Sequence, residues 1–389
     1  MLTFYYRPDL SAGSFRATAL AEALRRLAPA SHVDVITTLP NRYHSFTVAA
    51  PEIEEAPGLT VRRIALSRHR SGMVDQSAAF VAFARAASRF AAGERYDVIV
   101  ATSSRLMTAA LAARIARRGR TPLYLDIRDL FVDTITEVLP RPAALVLRPA
   151  LSALERYAIG TASRVNVVSA GFLEYLGRRY PGRSFSCYTN GVDEEFAAAA
   201  PLARAPSPRP AGAATTTLLY AGNIGEGQGL HAIVPGLARA GGESLKLRII
   251  GDGSRRSRLL ETLERQGARN VELLPPMPRA ALIEAYRAAD VLFLHLNAHD
   301  AFTRVLPSKI FEYAAMGKPM LAGLSGFAAR FVHEHIANAA VFSPCDADGA
   351  MSALRTLAPF DEPRRDFIAE FGRTAITERL ARDVLALAG

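Results

Sequence analysis

The most constraining feature is a repeating alternation. Short apolar or β-branched runs at residues 2–6, 33–37, 60–64, 98–101, 123–126 and 165–169 are separated by helical patterns such as 14–27, 76–92, 106–118 and 147–162. Runs of this kind, joined by helices, predict parallel strands with crossover helices. A second series follows at 217–221, 246–251, 271–274, 291–296, 320–322 and 340–342. Between the series lies 197–216, with four prolines and repeated alanines, the composition of a linker. The fold class expected is α/β, with two doubly wound Rossmann-like domains facing a cleft. The first domain spans 1–196 and the second 217–365. An amphipathic helical tail, 366–389, either stays with the second domain or crosses back to the first.

Composition narrows the classes. Apolar residues make up 50% of the 389 and charged residues 22%, which is globular. No run of about 18 apolar residues exists, so no membrane-spanning helix is expected. The closest segment, 78–92, is broken by Arg85 and Arg89. The start lacks the basic-then-apolar pattern of a signal peptide. Cys187 and Cys345 are too few for a disulfide framework or a zinc site, which fits a reducing cytoplasm. The net charge is +10, most of it in the first half, which suits anionic partners. Basic residues are interspersed with acids and not interleaved with aromatics, so nucleic acid is not expected. Only three lysines occur, Lys246, Lys309 and Lys318.

Five segments at the ends of expected strands carry chemistry, as ligands in open α/β sheets bind at the carboxyl ends. Gly222-Asn223-Ile224-Gly225-Glu226-Gly227-Gln228-Gly229 holds four glycines, which let main chain approach an anion closely. Its spacing matches neither the P-loop nor G-x-G-x-x-G. Gly251-Asp252-Gly253 ends another strand, where a ligand or a tight turn fits equally. Pro307-Ser308-Lys309 opens an expected helix ended by Gly317-Lys318-Pro319. Lys309 and Glu312 share its face, suited to a diphosphate and a sugar hydroxyl, or to a plain surface ion pair. Gly13 and Ser14 are expected to cap the first helix. Asp126 and Asp129 follow a strand, as bases, hydroxyl acceptors or helix caps. Asp346-Ala347-Asp348 reads as a turn, and the eight histidines show no metal spacing.

Together the glycine loop 222–229, Asn190-Gly191-Val192-Asp193, Gly251-Asp252-Gly253, Pro307-Ser308-Lys309, Glu312 and Gly317-Lys318-Pro319 resemble glycosyltransferase family 4, of the GT-B fold. The branch resembled adds amino or deoxy sugars in bacterial O-antigen and capsule assembly. The resemblance implies a nucleotide-sugar donor, a UDP-sugar being expected, held mainly by the second domain. It further implies an acceptor held by the first, retention of configuration, and neither metal nor cofactor. In front-face schemes for related enzymes the leaving phosphate takes the incoming proton, so Lys309 and Asp129 are the catalytic candidates, with Asp129 orienting the acceptor. Donor-binding candidates are Gly13, Gly222, Asn223, Gln228, Gly253, Arg304, Ser308, Lys309 and Glu312. Two departures stand out. Arg304 replaces the first of two glutamates eight apart, and Asn223 and Gln228 replace an arginine and a lysine of the glycine loop. The expected acceptor is a lipid-linked saccharide. An anionic membrane surface at the inner face of the cell membrane fits the basic first half and the arginine-bearing segment 139–157, which reads equally as an ordinary core helix. Two competing readings are a sugar-nucleotide epimerase of the same fold and a catalytically silent sugar-nucleotide binder.

Overall fold

The structure, a computed structural model, describes residues 1–9, 11–40, 49–66, 73–103, 106–138, 141–203, 205–206 and 215–389; for 73–77, 135–138, 141 and 205–206 it describes backbone alone. Parts of the expected linker (204 and 207–214), the start of segment 139–157 and Leu10 lie outside the described residues. The chain divides into two compact units. One holds Met1–Asn190 with Thr374–Gly389, the other Gly191–Arg373.

Strands of the first unit are β1 (Val33–Thr38), β2 (Ile53–Ala56), β3 (Leu59–Ile64), β4 (Ile99–Ser103), β5 (Leu123–Ile127), β6 (Arg164–Val167) and β7 (Phe185–Cys187). They run β2-β3-β1 and β4-β5-β6-β7, parallel except for the β2–β3 pair. The expected strand at 2–6 is reduced to a single bridging residue. Leu2 pairs with Ile36 and Ala101, joining the two groups. Its N–H donates to Val100 at 2.7 Å and that of Thr3 to Ile36 at 3.1 Å. The chain then turns, with Asp9 N–H returning to Tyr6 O. The helices are α1 (Ala12–Leu27), α2 (Met73–Ala92), α3 (Leu106–Gly119), α4 (Phe131–Val138), α5 (Arg141–Thr161) and α6 (Gly171–Arg179). Ala17, Leu20, Ala21 and Leu24 bury one stripe of α1. Its cap is Ser11, whose Oγ accepts from Ser14 N–H, not Gly13 and Ser14 as expected.

The second unit begins before the proline-rich stretch. Val192 and Phe196 are buried in its core. Asp193 is held by Arg373 at 2.5 Å and by Arg279 at 3.0 Å. The elements are α7 (Glu194–Ala198), β8 (Ala205–Pro206), β9 (Thr216–Asn223), α8 (Leu230–Gly241), β10 (Leu245–Asp252), α9 (Arg256–Gln266), β11 (Val271–Leu274), α10 (Arg279–Ala288), β12 (Val291–His295) and α11 (Lys309–Ala315). There follow β13 (Met320–Gly323), α12 (Gly326–His335), β14 (Ala339–Phe342), α13 (Ala347–Leu354), β15 (Phe360–Asp361) and α14 (Arg365–Glu370), after which α15 (Arg373–Leu385) belongs, from Thr374 on, to the first unit. Six parallel strands run β11-β10-β9-β12-β13-β14. The strand order therefore reverses between β9 and β12, the position where such sheets bind ligands. Alternate residues serve the two faces. Leu218, Tyr220, Leu247, Ile249 and Phe293 pack under α8, α9 and α13, while Leu219, Ala221, Ile250, Leu292 and Leu294 pack under α10, α11 and α12.

The tail is two helices, α14 and α15, rather than one. Leu380, Ala381 and Val384 of α15 are buried in the core of the first unit. Lys318 is 2% exposed and paired with Asp361 at 3.1 Å. Buried Arg364 donates to the carbonyls of Ala314, Lys318 and Ala337, tying the end of α11 to the loops before β13 and β14. Lys318 therefore holds the fold.

Candidate active site

The loop after β9 lies at the strand-order reversal, and α11 stands beside it. Tyr313 of α11 is buried, and its hydroxyl accepts the N–H of Ala221 at 3.0 Å. That bond fixes α11 against the end of β9. One turn earlier, Lys309 lies over Gly222. A Cβ on Gly222 would stand 3.3 Å from Lys309 Cε and 3.0 Å from the Tyr220 hydroxyl, and its φ of +156° disfavours other residues. The structure thus brings Gly222 and Lys309 together at the reversal point, as the sequence suggested.

Lys309 Nζ is 2.8 Å from Glu312 Oε2 and 3.5 Å from the Tyr286 hydroxyl, which donates to Glu312 at 3.3 Å. Glu312 has a side chain 10% exposed and Lys309 23%, so this is no solvated surface pair. Burial raises the Tyr286 phenol far above its ordinary range, with the Glu312 charge adding to it, so Tyr286 stays a neutral donor. Helix α11 has only seven residues and starts at Lys309. The expected helix start at Pro307 is corrected accordingly: Pro307 precedes the cap position, Ser308, which makes no side-chain capping bond. The fixed cation here is the lysine itself.

The glycine loop is internally braced. Asn223 Nδ2 donates to Gln228 Oε1 at 2.7 Å, and Gly225 N–H reaches the same oxygen at 3.3 Å. Asn223 and Gln228 thus shape the loop through each other. Gly253 was expected to touch a ligand, but its neighbour is protein. A Cβ there would sit 2.5 Å from Ile224 O, and its N–H is bonded to Asp252 Oδ1. Arg304 lies past β12, pairing with Asp300 at 3.0 Å.

Sequence reasoning overlooked three residues here. Arg255 pairs with Glu226 of the glycine loop and donates its N–H to Ile224 O. Asn297 receives the loop from the other side: its N–H donates to Gly227 O at 2.8 Å and its Nδ2 to Glu226 O at 3.1 Å. His295 is fully buried between Phe293 and Phe342. Its Nδ1 bonds Gln228 O at 2.7 Å and its Nε2 accepts Cys345 N–H at 2.9 Å. Burial pushes this imidazole down to about 4 against the pull of the Gln228 carbonyl, so it is neutral. A strand-end histidine after an apolar run is the signal that marked it.

Gly13 and Asp129 belong to the first unit. Gly13 lies in the first turn of α1, near Arg128, whose guanidinium donates to Ala12 O at 3.2 Å and to Asn190 Oδ1 at 3.5 Å. Asp129 is exposed beyond the carboxyl end of β5. Asp126 is neither a base nor a cap. It is fully buried and held by Arg16 at 2.7 and 2.9 Å and by Asn166 at 2.7 Å. Burial pushes its carboxyl up, but Arg16, then Arg128 and Asn166, bring it below the ordinary value and keep it ionised. Asp346 caps α13 through Gly349 N–H and Ala347 and Asp348 lie in that helix, where the sequence had read as a plain turn. Among the described residues, no three His, Cys, Asp or Glu side chains are grouped to hold a metal.

Comparison with known proteins bears on the family and the fold. The sequence model of the glycosyl transferase 4-like domain matches residues 13–184, and that of the glycosyl transferases group 1 matches 215–358. A putative colanic acid biosynthesis glycosyl transferase, WcaI of Escherichia coli (strain K12), is 34% identical over 100 residues. That match spans 26% of this chain and 24% of the relative. Among solved structures, WaaG, a glycosyltransferase involved in lipopolysaccharide biosynthesis, superposes with TM-score 0.64 at 14% identity, covering 99% of both chains. Anabaena HepE in complex with UDP gives 0.57 at 14% identity, covering 100% of this chain and 97% of that one. At such identities the likeness speaks for the fold alone, GT-B. With its two domain matches covering most of the sequence, the chain belongs to the glycosyltransferases of the family 4 type.

Proposed function

We propose that the protein transfers a glycosyl group from a nucleoside diphosphate sugar, a UDP-sugar, to a lipid-linked saccharide in surface polysaccharide assembly. The observation that carries this reading is the Lys309 ammonium packed against Gly222 where the strand order reverses, with Glu312 beside it. Lys309 holds the donor diphosphate and stabilises it as it departs. Glu312 accepts a hydroxyl of the donor sugar. The colanic acid relative and the part WaaG plays in lipopolysaccharide biosynthesis support the place in surface saccharide assembly, and the UDP bound to HepE supports the donor.

Transfer proceeds with retention and without a metal. The bond from the anomeric carbon to the diphosphate oxygen breaks, its electron pair leaving on the diphosphate. The acceptor hydroxyl forms the new bond on the same face, and its proton passes to the leaving phosphate oxygen. A fixed cation lowers the cost of the charge that develops there. Asp129 orients the acceptor.

The acceptor is presented at an anionic membrane surface. No helix among the described residues is long and apolar enough to cross a membrane. Helix α5 instead exposes Leu145 (75%) and Val146 (77%), with Arg148 and Arg156 exposed on the same helix. Incubation with a radiolabelled UDP-sugar and extracted lipid-linked acceptors tests the reading. Acceptor-dependent release of UDP with label in the lipid phase is expected. Altered sugar nucleotide without acceptor would replace transfer by epimerisation, and binding without turnover by a silent role.

A further inference from the structure

A cavity lies in the first unit, at the amino ends of β4 and β5, beside Ile99 and Pro122. Ligands of the transfer reaction belong at the opposite, carboxyl ends of such strands. The cavity measures about 830 Å³, within the size range of small-molecule sites. Arg95, Arg114, Arg118 and Arg120 line it, together with Glu94 and Asp97, a surplus of two positive charges.

Other exposed arginines without a partner among the described residues, such as Arg85, Arg148 and Arg156, do not line this cavity, whereas these four converge on it. Arg178, Arg287 and Arg382 are exposed too, yet each pairs with a glutamate one turn away on its own helix. Arg117, adjacent to Arg118, turns over the ring of Tyr157. Among the described residues, the guanidinium groups of Arg95, Arg114, Arg118 and Arg120 have no hydrogen bond, ion pair or ring contact. The carboxylates of Glu94 and Asp97, though in the same cavity, form no ion pair with them. The carbonyl end of α3 attracts a cation in its last turn, which accounts for Arg118. It does not account for Arg114 a turn earlier, or for Arg95 and Arg120 in the loops that precede β4 and β5.

We infer that this cavity is a binding site for a phosphate-bearing ligand, separate from the donor site. Guanidinium groups present paired donors that match phosphate oxygens, and four of them around one concavity favour a phosphate ester or diphosphate over a single halide. The same chemistry is offered by a soluble phosphate compound and by a phospholipid headgroup. The site stands whether or not the transfer reading does.

Phenylglyoxal labelling of the full chain, mapped by peptide mass spectrometry, reads these arginines one by one. One arm adds inorganic pyrophosphate, a second adds phosphatidylglycerol vesicles against phosphatidylcholine vesicles, and sodium chloride at equal ionic strength is the reference. At twice the dissociation constant, labelling of the four arginines should slow about three-fold, with Arg178 and Arg287 unchanged. Protection by pyrophosphate identifies a soluble ligand, and protection by phosphatidylglycerol alone a headgroup. If neither protects more than the chloride reference does, the site is overturned. The Arg114→Gln/Arg118→Gln double variant should abolish protection of Arg95 and Arg120 while nucleotide still raises the melting temperature. Undiminished protection in that variant would also overturn it.

Discussion

His295→Gln should remove an acid sensitivity that the wild-type fold carries. In the folded chain the neutral imidazole donates from Nδ1 to Gln228 O and accepts Cys345 N–H at Nε2. Protonation would set a second donor against that N–H. Burial accordingly holds the folded value near 4, whereas the unfolded chain takes the proton near 6.5. Between those values only the unfolded chain is protonated, so stability falls as the pH drops through this window and the loss levels off below about 4. The full shift is worth about 3 kcal/mol, and about 2 kcal/mol is lost between pH 7.5 and 5. Glutamine retains one donor and one acceptor but does not titrate. Because the chain has two units, the local readout is hydrogen exchange of peptides covering β12 and the loop 222–229 at both pH values, after correction for intrinsic rates. On acidification the wild type should lose far more protection than His295→Gln does. Equal losses would refute the assignment of His295 as the buried neutral latch of the loop.

Further expectations follow from the same geometry. Asp126→Asn leaves Arg16, 2% exposed, without its countercharge and should cost about 3–5 kcal/mol, read as a large fall in melting temperature. Asp129→Asn should raise the acceptor KM. Gly222→Ala forces a strained φ and crowds Lys309, so nucleotide affinity in calorimetry should fall by about ten-fold, 1.4 kcal/mol. Transfer measured in excess EDTA should match transfer without it.

The fold was legible wherever burial is written as local pattern. The runs at 218–221, 247–250 and 291–294 are apolar on both faces because helices cover both sides of the sheet, and such strands announce themselves. The sequence also marked Gly222, Lys309 and Glu312, whose partners are near in the chain or follow from strand-end logic. Long-range pairing was invisible. Asp126 looked like a base because its partner Arg16 is 110 residues away. Lys318 ended a helix in the sequence, and nothing local showed that Asp361 and Arg364 close around it. Gly253 looked like a ligand contact because the chain that fills its Cβ space belongs to Ile224, on another strand's loop. The boundary between units was misplaced for the same reason: Val192 and Phe196 join the second core through contacts that the prolines after them do not reveal.

Calorimetric titration of the wild type and Lys309→Ala with a nucleoside diphosphate tests the central claim most directly. UDP, ADP and GDP are tried on the wild type, and the tightest is carried over. Removing the ammonium deletes a charge-assisted contact and leaves Glu312 facing the diphosphate alone, a loss of about 2 kcal/mol or more, roughly 30-fold in Kd. The account predicts that fall in a protein that still folds, with a melting temperature lowered because Glu312 loses its cation. Equal Kd values for the two proteins would contradict it.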